Sequence, residues 1–131
     1  MNRVQPVKDY MSINIVTFTP GMDIHHAIKV LVERQISGAP VVDEHENLVG
    51  ILSERDCLKV AFSAAYHRDW GGRVAEYMSC EVQTVDAHMD IVEMAESFLK
   101  SPYRRFPVVA GNRLVGQISR RDVLRAVAEL W

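Results

Sequence analysis

The sequence predicts an α/β fold of the α+β type, made of two pseudo-symmetric copies of one strand–helix–strand–strand–helix unit. Three observations lead there. The 131-residue chain repeats itself at an offset of 67 positions. Both copies carry helix-period and strand-period apolar patterns in the same order. Finally, a unit of roughly 60 residues buries too small a fraction of its surface to be comfortably stable alone, so the two copies are expected to pack together.

The repeat is dense. Val7, Tyr10, Met11, Ser12 and Thr17 fall on Val74, Tyr77, Met78, Ser79 and Thr84. Met22-Asp23-Ile24 falls on Met89-Asp90-Ile91, and Pro40-Val41-Val42 on Pro107-Val108-Val109. One residue is then lost, and Leu48-Val49-Gly50, Ser53, Arg55-Asp56 and Leu58 meet Leu114-Val115-Gly116, Ser119, Arg121-Asp122 and Leu124 at offset 66. A single gap over the whole length marks a duplication.

Each copy opens with a short extended piece, Ile15–Phe18 or Val82–Val85, leading to an Asp at a helix start. Asp90 with Glu93 has capping-box spacing. Ile24, Ala27, Ile28 and Leu31 form the apolar stripe of the first helix, and Ile91, Met94, Ala95, Phe98 and Leu99 that of its counterpart. Gly38 and Pro102 stand where these helices should stop. Strands Pro40–Val42 with Leu48–Leu52, and Pro107–Val109 with Leu114–Ile118, read as hairpins across the polar turns DEHEN and AGNR. A second helix closes each copy, with stripes Leu58, Ala61, Phe62, Ala65 and Leu124, Val127, Ala128, Trp131. The first copy with its N-terminal segment spans 1–66, a linker 67–73 and the second copy 74–131. The stretch Ser63–Arg73, containing Trp70-Gly71-Gly72, reads as the natural connection, and His67, Arg68, Asp69 and Trp70 as solvated linker rather than a site.

Composition narrows the function. Hydrophobic residues are 48% and charged residues 24%, an ordinary globular balance. A net charge of −2 argues against a general nucleic-acid binder. There is no signal-peptide core and no apolar run approaching the ~18 residues of a membrane span. Cys57 and Cys80 are too few for a disulfide framework, lack CxxC spacing and read as two small buried or half-buried side chains. A reducing cytoplasm is the expected compartment. P-loop, HExxH, GxSxG and Rossmann fingerprints are absent, and His25 and His26 are adjacent rather than at metal-ligand spacing. Neither catalysis nor metal binding is expected.

The informative constellation is G-x-x-S-x-x-D, at Gly50, Ser53, Asp56 and again at Gly116, Ser119, Asp122. It is at once a capping box and a ligand motif. Ser at N-cap and Asp at N3 satisfy each other's backbone donors. A helix N-terminus also favours phosphate, a carboxylate accepts from the vicinal hydroxyls of a ribose, and glycine lets a ligand approach the backbone. In the second copy Arg120 and Arg121 open the helix, at the end of the dipole that disfavours cations. With Arg104 and Arg105 expected nearby, they suit phosphate oxygens through forked hydrogen bonds.

The Tyr-Met-Ser openings, the apolar-x-Thr strands, Ser-Gly-Ala-Pro-Val-Val-Asp and Leu-Val-Gly-Ile-Leu-Ser-Glu-Arg-Asp, with their second copies, resemble a tandem cystathionine-β-synthase (CBS) domain pair from about Val7 to Leu130. The resemblance implies a disc-like regulatory module whose clefts between repeats bind AMP, ADP, ATP or S-adenosylmethionine. It implies ribose contacts at Asp56 and Asp122, and phosphate contacts near Ser53, Arg55, Ser119, Arg120, Arg121, Arg104 and Arg105. Base and ribose pockets would be lined by Thr17 with Ala39, Pro40 and Val41, and by Thr84 with Phe106, Pro107 and Val108. The second copy departs from the pattern, with Arg104-Arg105-Phe106 where small residues are usual and Gln117 after Gly116. No cofactor is required; the adenine nucleotide is the ligand. The expected partners are a second copy of the chain, through helix faces ending at Trp131 (or with Trp131 folded back on Tyr66 and Trp70), and an unidentified regulated protein. A protein-interaction or structural module that binds no nucleotide is the alternative.

Overall fold

Backbone pairing divides the chain into two units, each built on one repeat. A computed structural model describes residues 5–67 and 71–130. The first-repeat unit comprises residues 16–82, and the second-repeat unit residues 5–15 with 83–130.

In the first-repeat unit α1 (Ile24–Arg34) is followed by the hairpin β1 (Gly38–Val42) and β2 (Leu48–Ser53), then α2 (Glu54–His67) and the short α3 (Val74–Tyr77). In the second-repeat unit a 3-10 turn at Val7–Asp9 precedes β3 (Val85–Asp86), α4 (Ile91–Leu99), the hairpin β4 (Arg105–Ala110) and β5 (Arg113–Ser119), and α5 (Arg120–Leu130). Asp23 and Asp90 cap α1 and α4, accepting from His26 N and Val92 N, both at 3.1 Å. The other oxygen of Asp90 takes the backbone N–H of Gln5 at 3.1 Å. The polar turn of the first hairpin is pinned by Asp43, whose carboxylate accepts from His45 N and Asn47 N at 2.8 and 2.9 Å, with Glu46 at φ 67°. These bonds, chiefly that from Asn47, hold the Asp43 pKa below its ordinary value.

The sheets match. β3 runs parallel to β4, and β4 antiparallel to β5. In the first repeat β1 and β2 are antiparallel, and only Phe18 pairs with Val41 where the expected strand Ile15–Phe18 would lie. In the second copy the expected segment Val82–Val85 pairs only at Val85, and the strand runs on to Asp86. The unpaired residues lie where the chain passes from one unit to the other, at Ile15–Val16 and again at Val82–Gln83.

The units do not follow the repeat boundaries read from sequence. Ser12 pairs with Gln117 of β5 (N to O 2.8 Å, and 3.0 Å in return), and Ser79 pairs with Ile51 of β2 (2.9 Å both ways). Each Tyr-Met-Ser segment thus closes the sheet edge of the other repeat. Its apolar residues follow: Val7 and Tyr10 complete the core around Ile91, Met94 and Ile118, while Val74 and Tyr77 complete that around Phe18, Ile24 and Leu52. The connection is shorter than expected, since Ser63–His67 belongs to α2 and Arg73 N donates to Glu76 at 2.7 Å to start α3. Arg68, Asp69, Trp70 and Trp131 lie outside the described residues.

The α1 stripe holds, with Ile24, Ala27 and Leu31 buried and Ile28 half-buried. In α4 Ile91, Met94 and Phe98 are buried, but Leu99 is 88% exposed. For the closing helices the predicted face is the wrong one. Asp56, Val60 and Ala64 of α2 and Asp122, Val123 and Ala126 of α5 face inward, whereas Leu58 is 69% and Leu124 67% exposed. These helices carry apolar residues on two sides, and the buried aspartate, not the apolar count, sets their rotation.

The glycines of the repeated motif serve this closure. A Cβ on Gly116 would lie 2.6 Å from Ser12 O and 2.7 Å from the Met11 sulfur, and one on Gly50 2.9 Å from Ser79 O and 2.8 Å from the Met78 sulfur. The close neighbour is the protein's own backbone, not a ligand as the sequence led us to expect. Gly116→Ala and Gly50→Ala should each destabilise the chain by roughly 1–3 kcal/mol, the usual cost of overpacking, as read from urea denaturation.

Candidate ligand-binding site

At the start of α2, Ser53 and Asp56 form a complete capping box. Asp56 Oδ2 accepts from Ser53 N (3.0 Å) and Ser53 Oγ (2.9 Å), and Asp56 N donates to Ser53 Oγ (3.1 Å). At the start of α5, Asp122 Oδ2 accepts from Ser119 N at 2.9 Å, and Asp122 N donates to Ser119 Oγ at 3.2 Å. Both carboxylates are only 6% exposed. Burying them is affordable because charge-assisted bonds satisfy them.

Their remaining oxygens are wired differently. Asp56 Oδ1 receives Lys59 Nζ and Ser79 Oγ, each at 3.3 Å. Asp122 Oδ1 faces Arg125 Nη1 at 3.4 Å, and the same guanidinium donates from Nη2 to Tyr10 O at 2.7 Å. Lys59, Arg125 and Ser79 escaped the sequence reading. The first two were accessible through their i, i+3 spacing from the aspartates; Ser79 was not, because nothing local links it to Asp56.

The strands bring further predicted residues to these helix starts. Glu54 N donates to Ser37 O at 2.8 Å, and Arg120 N to Arg104 O at 3.1 Å. Arg105 sits opposite Ser119 in register. Arg104, Arg105, Ser119, Arg120, Arg121 and Asp122 therefore gather at one end of the second-repeat unit, with Ser53, Arg55 and Asp56 at the equivalent place in the first. Phe18 N donates to Pro40 O at 2.9 Å, which keeps half-buried Thr17 beside β1. Thr84 is exposed just before β3. Ala39, Pro40, Val41, Phe106, Pro107 and Val108 are buried, and Phe106 packs against Phe98 with ring centroids 5.2 Å apart. Contact with a ligand from these positions would fall largely to their backbone.

Two expectations change. The N–H groups of Ser53, Glu54 and Asp56, and of Ser119, Arg120 and Asp122, already have protein acceptors, so the helix starts offer a ligand few free backbone donors. Arg120 is not stranded at an unfavourable dipole end either. Its Nη2 reaches Ser101 O at 3.4 Å, just beyond the C-terminus of α4, where a cation is favoured.

A model of the CBS domain matches residues 7–63 and 74–129, both repeats and most of the chain. The chain belongs to the CBS-domain family. The duplicated pattern is therefore a pair of CBS repeats, regulatory and non-catalytic modules. Protein MJ1225 of Methanocaldococcus jannaschii is 26% identical over 127 residues, which cover 97% of this chain but 44% of that protein. The CBS-pair protein CBSX2 of Arabidopsis thaliana, solved in complex with AMP, is 28% identical with a TM-score of 0.80, covering 95% of this chain and 97% of its own. The CBS pair of protein MJ0100, solved with 5′-methylthioadenosine and S-adenosylmethionine, is 28% identical with a TM-score of 0.73, covering 97% and 98%. Among the described residues no three His, Cys, Asp or Glu side chains gather as a metal site, and no helix is long and apolar enough to cross a membrane.

Apart from these helix starts, each CBS unit has an apolar groove between its two main helices. The α1–α2 groove, about 390 Å³, is lined by Ile28, Val32, Cys57 and Leu58, and the α4–α5 groove, about 440 Å³, by Ala95, Leu99, Val123 and Leu124. Partial burial, and then the neighbouring Asp56 and Glu54 carboxylates, push the Cys57 thiol up to about 11. Cys80, expected to be at least half-buried, is exposed. A group that ionises near 11 is roughly one part in a thousand thiolate at pH 8, and the thiolate is the nucleophile. Titration with an aromatic disulfide reagent at pH 8 should therefore count one fast thiol in the native chain, Cys80, and a second only slowly or after denaturation.

Proposed function

We propose that this CBS pair is a regulatory sensor that binds an adenine nucleotide, AMP, ADP, ATP or S-adenosylmethionine, and passes its occupancy to an unidentified regulated protein in the cytoplasm. The observation that carries this reading is that CBS pairs solved with AMP and with S-adenosylmethionine align with nearly the whole chain. The local chemistry supports it. Asp56 and Asp122 act as ribose acceptors through Oδ1, each exchanging a side-chain partner there for a ribose hydroxyl. Ser53, Arg55, Arg104, Arg105, Ser119 and Arg121 hold phosphate, and Thr17, Thr84 and the backbone of β1 and β4 frame the base.

The capping boxes demand a test that separates a ligand contact from a structural cap. Asp122→Asn should weaken nucleotide binding by about 1–3 kcal/mol, the range for hydrogen bonds to a charged partner. The 2′,3′-dideoxy form of the same nucleotide should lose as much on the unaltered protein. If Asp56→Asn and Asp122→Asn lower the melting temperature and leave calorimetric affinity untouched, the aspartates are caps alone.

The outward helix faces favour a second, compatible reading, association through α1, α2, α4 and α5. Val32, Leu58, Phe62, Leu99 and Leu124 are exposed, and sizeable apolar patches commonly mark association surfaces. We propose a homodimer formed largely through such faces. Light scattering at micromolar concentration should give about twice the 14.9 kDa chain mass, and Leu124→Asp should return it towards monomer. Association that persists while no adenine compound binds would favour a protein-interaction module instead.

A further inference from the structure

The two CBS repeats build the same helix start and charge it differently. In the second-repeat unit Arg104, Arg105 and Arg121 are all exposed. Among the described residues none of these three guanidinium groups has a hydrogen-bond or ion-pair partner in the protein. Arg73 bonds Gly21 O, Arg120 bonds Ser101 O, and Arg125 bonds Asp122 and Tyr10. Arg34, Arg55 and Arg113 are unpaired as well among the described residues, so what sets these three apart is that they stand together. The backbone fixes the unpaired three near one another, through the 3.1 Å bond from Arg120 N to Arg104 O and the pairing of Arg105 with Ser119, two residues before Arg121.

In the first repeat the positions matching Arg104, Arg105, Arg120 and Arg121 are Ser37, Gly38, Glu54 and Arg55. Four positive charges stand against one positive and one negative, which cancel. Like charges held together repel, and a polyanion relieves that repulsion while filling several forked donors at once. A chain of phosphates brings more charge and more acceptor oxygens to three guanidinium groups than a monophosphate does.

We propose that the second-repeat unit is selective for a nucleoside di- or triphosphate over a monophosphate, with Arg104, Arg105 and Arg121 as the oligophosphate seat. This rests on the nucleotide reading above and deepens it by naming the ligand class of one unit. Arg120 is not part of the seat, because Ser101 already holds its guanidinium.

The test is calorimetric titration of the whole chain with ATP, AMP, adenosine and inorganic tripolyphosphate, at low and high salt. A hydrogen bond to a charged group is worth about a factor of ten, so ATP should bind at least about tenfold tighter than AMP at low salt. The gap should narrow as salt screens the exposed charges. The triple variant R104Q/R105Q/R121Q should bind ATP no better than AMP. Arg113→Gln should keep the gap that Arg104→Gln, Arg105→Gln or Arg121→Gln alone narrows, since it removes the same single charge in the same unit at the other end of β5, roughly 20 Å away at strand rise. Equal ATP and AMP affinities in the unaltered chain, or a gap erased as fully by Arg113→Gln, would overturn the seat while leaving adenine binding intact. Tripolyphosphate binding as tightly as ATP would keep the seat and overturn the adenine reading. No binding by any of the four would overturn both.

Discussion

The structure depends on one constraint: each sheet has an open edge that its own repeat cannot close. Left bare, such an edge presents unpaired backbone donors and acceptors. Here the segment preceding each repeat covers the edge of the other, Ser12 against Gln117 and Ser79 against Ile51. The approach is close enough that the facing residue must be glycine. The same exchange delivers Val7 and Tyr10 to one core and Val74 and Tyr77 to the other. The duplication is thus more than two copies in series. Each copy is incomplete, and the missing piece lies in front of its neighbour.

From that closure the helix geometry follows. With the sheet edge set, the serine that ends β2 or β5 becomes the cap of the next helix, and its partner aspartate is turned inward. A buried carboxylate in every first turn fixes how the helix is rotated. It draws Val60 and Ala64, or Val123 and Ala126, onto the sheet and leaves Leu58 and Leu124 in the open. One capping device therefore shapes two surfaces, the polar helix start where the proposed nucleotide contacts gather and the apolar outer face proposed for association.

The pseudo-symmetry is tight in the backbone and loose in the chemistry. Register, capping and glycine positions coincide, because both copies must solve the same packing problem. Side chains that face water are under no such restraint. Asp56 is held by Lys59 and Ser79, Asp122 by Arg125, and Arg104, Arg105, Arg120 and Arg121 stand where the first repeat has Ser37, Gly38, Glu54 and Arg55. Function is free to diverge at the positions the fold does not use.

The sequence by itself determined the duplication, the helix–hairpin–helix order within each copy, the S-x-x-D caps and the family. All of these are local or periodic, written in spacings of three, four or two residues and in the offset between copies. It also brought Arg104 and Arg105 to the start of α5, since strand and helix lie on either side of one hairpin. Only the tertiary structure decided which face of α2 and α5 is buried, for both faces are apolar and the choice lies with a buried aspartate. It alone revealed that the motif glycines accommodate Ser12 and Ser79 rather than a ligand, and that Arg120 turns to Ser101. Those facts rest on contacts between residues far apart in the chain, where no periodicity reaches.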